Sequence, residues 1–226
     1  NIYDDGIGFV EYISHMGSDV TVVNSARVSF GEHIVDLKER DIKLINYLIK
    51  HKHTSTLEHN VITFRFKVPL FIRSQHHRHR TWSYNEISRR YTEFNLEFYE
   101  PEKFRQQSKS NRQASTDCLF DPMLGDILGL ASEVIKIHHE ASLYLYESLV
   151  KAGVCREQAR GVLPQSLYTE YYGTVNLNNL FKFIGLRVPD GAQWEIQQVA
   201  KACLEIAKDH FPVTVEAYEK NIGIHT

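Results

Sequence analysis

Cysteine is scarce: Cys118, Cys155 and Cys203 are odd in number and far apart. They form no C-x-x-C pair and no disulfide framework, which points to a reducing intracellular setting. Apolar runs are short, and none approaches the roughly 20 residues of a membrane helix. Net charge is nearly absent as well, at -2. A dedicated nucleic-acid binder is more often basic overall, so a small anionic ligand fits better than a long polyanion. There is no internal repeat and no low-complexity segment. No signal peptide is visible, although the chain starts at Asn1 rather than methionine. The expectation is a cytoplasmic protein, in its own cell or a host's, with no membrane and no nucleic-acid partner.

Against these absences stand 226 residues, 42% of them hydrophobic, enough for the core of one domain. Histidine is frequent, at twelve. His51, His53, His59, His76, His77 and His79 nonetheless lack the closing ligand set of a zinc site, and no metal is expected. His138 and His139 read as helix surface or core edge.

Strand and helix patterns alternate. Phe9 to Ile13 reads as a strand, and Asp19 to Val28 as a short helix that Asp19 could cap. Asp36 to His51 carries Leu37, Ile42, Ile45, Leu48 and Ile49 at helical spacing. Val61 to Val68 alternates strictly and predicts a half-buried strand, which Pro69 ends before a helix from Leu70 to His79. Ser83 to Asn85 reads as a loop and Ile87 to Tyr91 as extended. Gln106 to Thr116 is polar and reads as an exposed loop, within a less regular region at about 105–121. A long amphipathic helix follows from Leu124 to Val150. Its expected buried face is Leu124, Ile127, Leu128, Ala131, Val134, Ile135, His138, Ala141, Leu145 and Leu149, with Gly153 in a cap-like position. Ser166 to Val175 is aromatic and β-branched, a strand. Asn176 can cap a helix from Leu177 to Leu186. The last helix runs from Gln193 to about His210, with Ile196, Val199, Ala200, Cys203, Leu204 and Ala207 inward. The fold expected is α+β: a central antiparallel or mixed sheet flanked by long helices, one domain over 1–226.

One stretch stands out, Arg78-His79-Arg80-Thr81-Trp82-Ser83-Tyr84-Asn85-Glu86-Ile87-Ser88-Arg89-Arg90-Tyr91. From Arg73 to Arg90 every full positive charge is arginine, whose flat fork grips phosphates and planar oxygens. Glu86 is the one acid among them. The segment matches R-H-R-x-x-S-x-N-E-x-S-x-R-Y at every fixed position and so resembles the flavin-dependent thymidylate synthases, the ThyX family. His51 to His59 resembles that family's H-x-H-x-[ST]-x-x-E-H, with Ser55 where threonine is common. Arg156 to Pro164 resembles its R-x-x-A-R-x-x-L-P. Leu186-Arg187 and Ala192-Gln193-Trp194-Glu195-Ile196 match two further segments. Thr174-Val175-Asn176-Leu177-Asn178 departs from T-V-N-x-R, because Asn178 replaces an arginine that helps hold flavin.

The resemblance implies reductive methylation of dUMP to dTMP, with methylenetetrahydrofolate as carbon donor. It also implies FAD as cofactor and NADPH as its reductant. It gives the catalytic role to Arg187, whose guanidinium would favour the anionic uracil ring. It places Gln75, Arg78, Glu86, Ser88, Arg89, Arg90, Arg160 and Arg187 on the nucleotide, with Arg160 reaching nucleotide bound by a neighbouring subunit. It places His53, Ser55, Glu58, Arg78, His79, Arg80, Glu86, Asn176, Asn178 and Lys182 on the flavin. It implies a homotetramer with shared sites. Ser88 has no orienting base, and no cysteine lies in the signature, so covalent catalysis by either is disfavoured. Two other readings stand beside this one. The first is a non-enzymatic module that stacks RNA on Trp82, Tyr84 and Tyr91. The second is a relative that has lost turnover.

Overall fold

Strict alternation from Val61 to Pro69 builds the centre of the molecule. The computed structural model describes residues 1–88, 90, 96–111, 114–125 and 129–222. Strand β1 is Phe9–Met16 and β2 is Val61–Pro69. Ile62, Phe64, Phe66 and Val68 of β2 are fully buried, each contributing about 1.5–3 kcal/mol by burial. Thr63, Arg65 and Lys67 point to the other face and are paired there. Thr63 bonds Thr174, Arg65 pairs with Glu170 and Glu11, and Lys67 with Glu97. This apolar-in, polar-out division is that of an antiparallel sheet covered on one side.

The chain continues through helices α1 (Asp19–Arg27) and α2 (Glu39–Lys50), a 3-10 turn (Thr54–Leu57), β2 and helix α3 (Leu70–His76). Strand β3 is Ser83–Glu86, and β4 (Phe104–Gln107) pairs with β5 (Ser115–Phe120) as a separate two-stranded sheet. Helices α4 (Ala131–Lys151) and α5 (Arg156–Ala159) precede β6 (Tyr168–Asn176). Helices α6 (Leu177–Arg187), α7 (Trp194–His210) and α8 (Pro212–Ile222) close the chain. The main sheet has the order β1-β2-β6-β3, and every pairing is antiparallel. Its apolar face packs on α6 and α7, and α8 packs in turn on α7 and α2; Ile196, Val199, Ala200, Cys203, Leu204 and Ala207 all point inward as expected. At Gly173 of β6 a Cβ would lie 2.8 Å from Phe66 and 3.2 Å from Trp82, so glycine makes room for both rings. Among the described residues no helix is long and apolar enough to cross a membrane.

Several expectations need correction. Ser83 to Asn85 is no loop: it belongs to the edge strand β3, paired with β6 from Ser83↔Thr174 to Glu86↔Tyr171. Within the span expected as a loop, Gln106 and Gln107 belong to β4 and Ser115 and Thr116 to β5, while the described residues 108–111 and 114 lie outside any strand. The long helix starts at Ala131 rather than Leu124; Ala131 is buried as expected, but the other buried residues are His139, Ser142 and Tyr146. Leu145 and His138 face outward. The cause is the partner surface. Tyr146 packs into a satellite cluster with Ala159, Leu163 and Leu167. His139 is buried because both ring nitrogens have partners, Glu100 at 2.7 Å and Ser166 at 2.6 Å. Ile127, Leu128, Arg89 and Tyr91 lie outside the described residues.

Asp19 does not cap α1; Ser18 holds that position. The Asp19 carboxylate instead accepts hydrogen bonds from the backbone N–H of Val213 at 3.0 Å and of Thr214 at 2.9 Å, and from the Thr214 hydroxyl at 2.5 Å. It thus caps α8, a helix beyond the one expected to be last. Asp19→Ala leaves these buried donors without a partner, and a loss of about 1–3 kcal/mol is expected. A denaturant melt checks it; an unchanged midpoint would show that the cap contributes nothing.

Candidate active site

Pro69 stops the β2 ladder and suits the chain to enter α3. The short helix ends at His76, whose ring is fully buried. His76 Nδ1 lies 2.8 Å from the Tyr171 hydroxyl on β6. Trp82, Phe183 and Phe66 surround the ring, with centroids at 4.5, 4.7 and 4.9 Å. Burial holds its pKa well below the usual histidine value, so it sits there neutral. The Tyr84 hydroxyl donates to the carbonyls of His76 at 2.9 Å and His79 at 3.2 Å. The turn carrying Arg78, His79 and Arg80 is therefore fastened at both ends. Arg78 and Arg80 are exposed, and neither has an ion-pair partner among the described residues.

After the turn, β3 delivers Glu86 beside α3. Glu86 Oε1 accepts from the Thr169 hydroxyl at 2.7 Å and lies 3.2 Å from Arg73 Nε, an ion pair without hydrogen-bond alignment. Glu86, Ser88 and Arg160 line one cavity of about 500 Å³, together with Arg73, Glu157 and Thr169. The Arg90 N–H donates to Ser88 Oγ at 3.3 Å, and Arg90 Nε lies 4.0 Å from Glu157. Residues 86–88 and residues 157, 160 and 161, far apart in sequence, thus meet in one polar, arginine-bearing pocket.

The remaining nucleotide candidates lie elsewhere in the chain. Gln75, Arg78 and Arg187 do not line that cavity. Gln75 Nε2 donates to Gln193 Oε1 at 2.5 Å, and Gln193 Nε2 donates to Glu195 at 2.9 Å. Arg187, the last residue of α6, donates from Nε to His79 Nε2 at 3.1 Å. That bond requires Nε2 as acceptor, hence a neutral ring protonated on Nδ1. Burial, reinforced by the Arg187 charge, lowers the His79 pKa to about 4. Burial also lowers the Arg187 pKa, though a guanidinium stays charged.

A third group comprises the flavin candidates near the 3-10 turn. His53, Ser55 and Glu58 are exposed, and buried Asn178 donates from Nδ2 to Glu58 Oε1 at 2.8 Å. Asn176 caps α6, accepting from the Asn179 N–H at 2.9 Å, as the sequence suggested. Exposed Lys182 reaches Asn179 at 3.5 Å. Four residues were missed. Arg73 was counted in the arginine run without a role, and Thr169 carried no signal in a strand pattern. Gln193 and Glu195 sat in a matched motif but were read as packing.

The thymidylate synthase complementing protein family matches residues 11–213 of the chain. The flavin-dependent thymidylate synthase of Thermus thermophilus is 46% identical over 215 residues, covering 95% of this chain and 77% of its own length. That of Kosmotoga olearia is 43% identical over 211 residues, covering 93% and 90%. Among solved structures, the UMP/dUMP methylase PolB of Streptomyces cacaoi bound with 5-Br dUMP superposes with a TM-score of 0.78. It is 32% identical over 94% of this chain and 95% of that one.

His79 supplies a pH prediction. Its folded pKa lies below the unfolded value of 6.5, so between those values the unfolded state binds more protons. The histidine's contribution is neutral above about 6.5 and costs stability as pH falls toward about 4. An NMR titration of the histidine rings should find His79 neutral at pH 5.5; a midpoint near 6.5 would contradict the buried acceptor role.

Proposed function

The chain belongs to the thymidylate synthase complementing protein family, and from that premise we propose that it is a flavin-dependent thymidylate synthase. It methylates dUMP at C5 to give dTMP, with methylenetetrahydrofolate as carbon donor and NADPH as reductant of FAD. The observation that carries this reading is the assembly of the signature's Glu86 and Ser88 with Arg160 around one cavity. Relatives more than 40% identical along nearly the whole chain bear the same activity in their names.

Ser88, Arg90 and Arg160 hold the nucleotide phosphate, with Arg89, which lies outside the described residues, as a further donor. Arginine forks and a hydroxyl supply charge-assisted hydrogen bonds there. Glu86 sets the orientation of Arg73 and faces both nucleotide and flavin. Gln75, Arg78 and Arg187 take the base. The Arg187 Nε–H is held by His79, which leaves both terminal nitrogens of the fork for the uracil N3 edge and its carbonyl oxygens. Fixed positive charge at that edge favours the anionic ring, whose C5 is the better carbon nucleophile. No proton leaves Arg187; its role is electrostatic.

The flavin fits the residues present. Arg78 and Arg80 are exposed guanidiniums without ion-pair partners among the described residues, suited to a diphosphate. His53, Ser55, Glu58, His79, Asn176 and Lys182 offer donors and acceptors for the rest. Asn178 stands where an arginine is usual and reaches the site through Glu58, so its part is to orient that carboxylate. Bound reduced flavin supplies the hydride. The separation of the Arg160 cavity from Arg187 supports completion of each site by a second copy, in a homotetramer. We place the enzyme in the cytoplasm, and its residues 1–226 in one domain.

Two substitutions separate these roles by steady-state dTMP formation. Arg187→Ala should lower kcat by about 100-fold or more with flavin still bound. Arg160→Ala should instead raise the KM for dUMP by about 10- to 100-fold, as the loss of one charged hydrogen bond predicts. Near-normal turnover by the first variant would remove Arg187 from catalysis. An unchanged KM in the second would remove Arg160 from the phosphate site.

A further inference from the structure

A second cavity, of about 560 Å³, lies between the β4–β5 hairpin, α4 and the start of α7. Nothing in the function described so far uses it. Its floor is an unusual polar cluster. Glu195 is buried, but Arg105 pairs with it, and the Tyr99 hydroxyl donates to it at 3.3 Å. The Arg105 guanidinium also stacks over Trp194, 4.7 Å from the ring centroid. Glu195 is thereby neutralised by a charge on its own wall.

What remains is unspent positive charge. Lys103 lines the cavity, is exposed and has no ion-pair partner among the described residues. Arg105 Nε is buried without a hydrogen-bond partner. The imidazole of His138 adds a further polar edge. Two cations against one carboxylate leave the lining net positive. Phe71, Tyr99 and Phe104 contribute flat apolar surface beside these donors, the combination found in pockets for small planar ligands.

The cavity also touches the signature. Gln193 lines it and accepts the hydrogen bond from Gln75, whose own Oε1 is buried without a partner. A ligand that moved Gln193 would release or redirect Gln75.

We propose that this cavity is a binding site for a small anion with a flat ring, adjoining the cavity of Glu86, Ser88 and Arg160 at Gln165, which lines both, and touching the signature through Gln193 and Gln75. The anionic group meets Lys103 and the Arg105 guanidinium, and the ring lies along Phe71 and Phe104. Two co-substrates of the function proposed above have this chemistry: a reduced folate, through its carboxylates, and a pyridine nucleotide, through its phosphates. The choice of these two probes rests on that reading, but the binding itself does not.

Calorimetric titration of the flavin-loaded protein with 5-formyltetrahydrofolate, and separately with NADP⁺, tests the proposal. At least one should bind in the presence of saturating dUMP, and Lys103→Glu should weaken it tenfold or more. Arg160→Ala, in the other cavity, should leave it within twofold. The probe that binds identifies the source of the anion. Because Lys103 is exposed, its variant should melt with the parent, which separates lost binding from lost fold. Absence of binding by both probes overturns the proposal. So does binding that Lys103→Glu leaves unchanged. Either result leaves dTMP formation as an independent question, answered by assay of the same preparation.

Discussion

The site depends on one buried contact, that between the His76 ring and the Tyr171 hydroxyl at 2.8 Å. It fastens the end of α3 to the second central strand of the sheet. Aromatic rings fill the space around it, and Tyr84 closes the turn by donating to two of its carbonyls. The arginines that follow are long, exposed and flexible by nature, and a rigid turn is what gives them direction. An imidazole suits this place because it is flat enough to pack among rings and polar enough to bond the tyrosine. Burial keeps it uncharged, so the core carries no isolated ion.

A consequence of that anchoring is a division of labour along the signature. Gln75 before the turn and His79 within it point toward α6 and α7, where Gln75 meets Gln193 and His79 meets Arg187. Residues after it enter β3 and point toward α5, where Glu86 and Ser88 share a cavity with Arg160. A contiguous motif thus serves two directions at once. Within one chain Gln75 and Arg187 do not line the cavity that Glu86, Ser88 and Arg160 share.

Much of this was legible in the sequence, for particular physical reasons. The β2 alternation was clear because Ile62, Phe64, Phe66 and Val68 on one face alternate with Thr63, Arg65 and Lys67 on the other. The inward face of α7 was clear because helical spacing persists along the whole element. Ser83 to Glu86 was misread because a four-residue polar edge strand has no pattern of its own; its partner β6 makes it a strand. Helix α8 was missed because its N-terminal cap, Asp19, comes from nearly two hundred residues away. On α4 Ala131 was read correctly, but His139 was not, because it is buried by hydrogen-bonding partners rather than by hydrophobicity. At the site, the motif named the residues but not their directions. Arg73, Thr169, Gln193 and Glu195 emerged only when folding brought distant side chains together.

The most direct measurement is the visible absorption spectrum of the purified protein supplied with FAD, followed anaerobically as NADPH, then dUMP and methylenetetrahydrofolate are added. A flavin band that bleaches with NADPH and returns as dTMP forms is the predicted result. A protein that binds no FAD, or that makes dTMP without any change in the flavin band, would contradict the account.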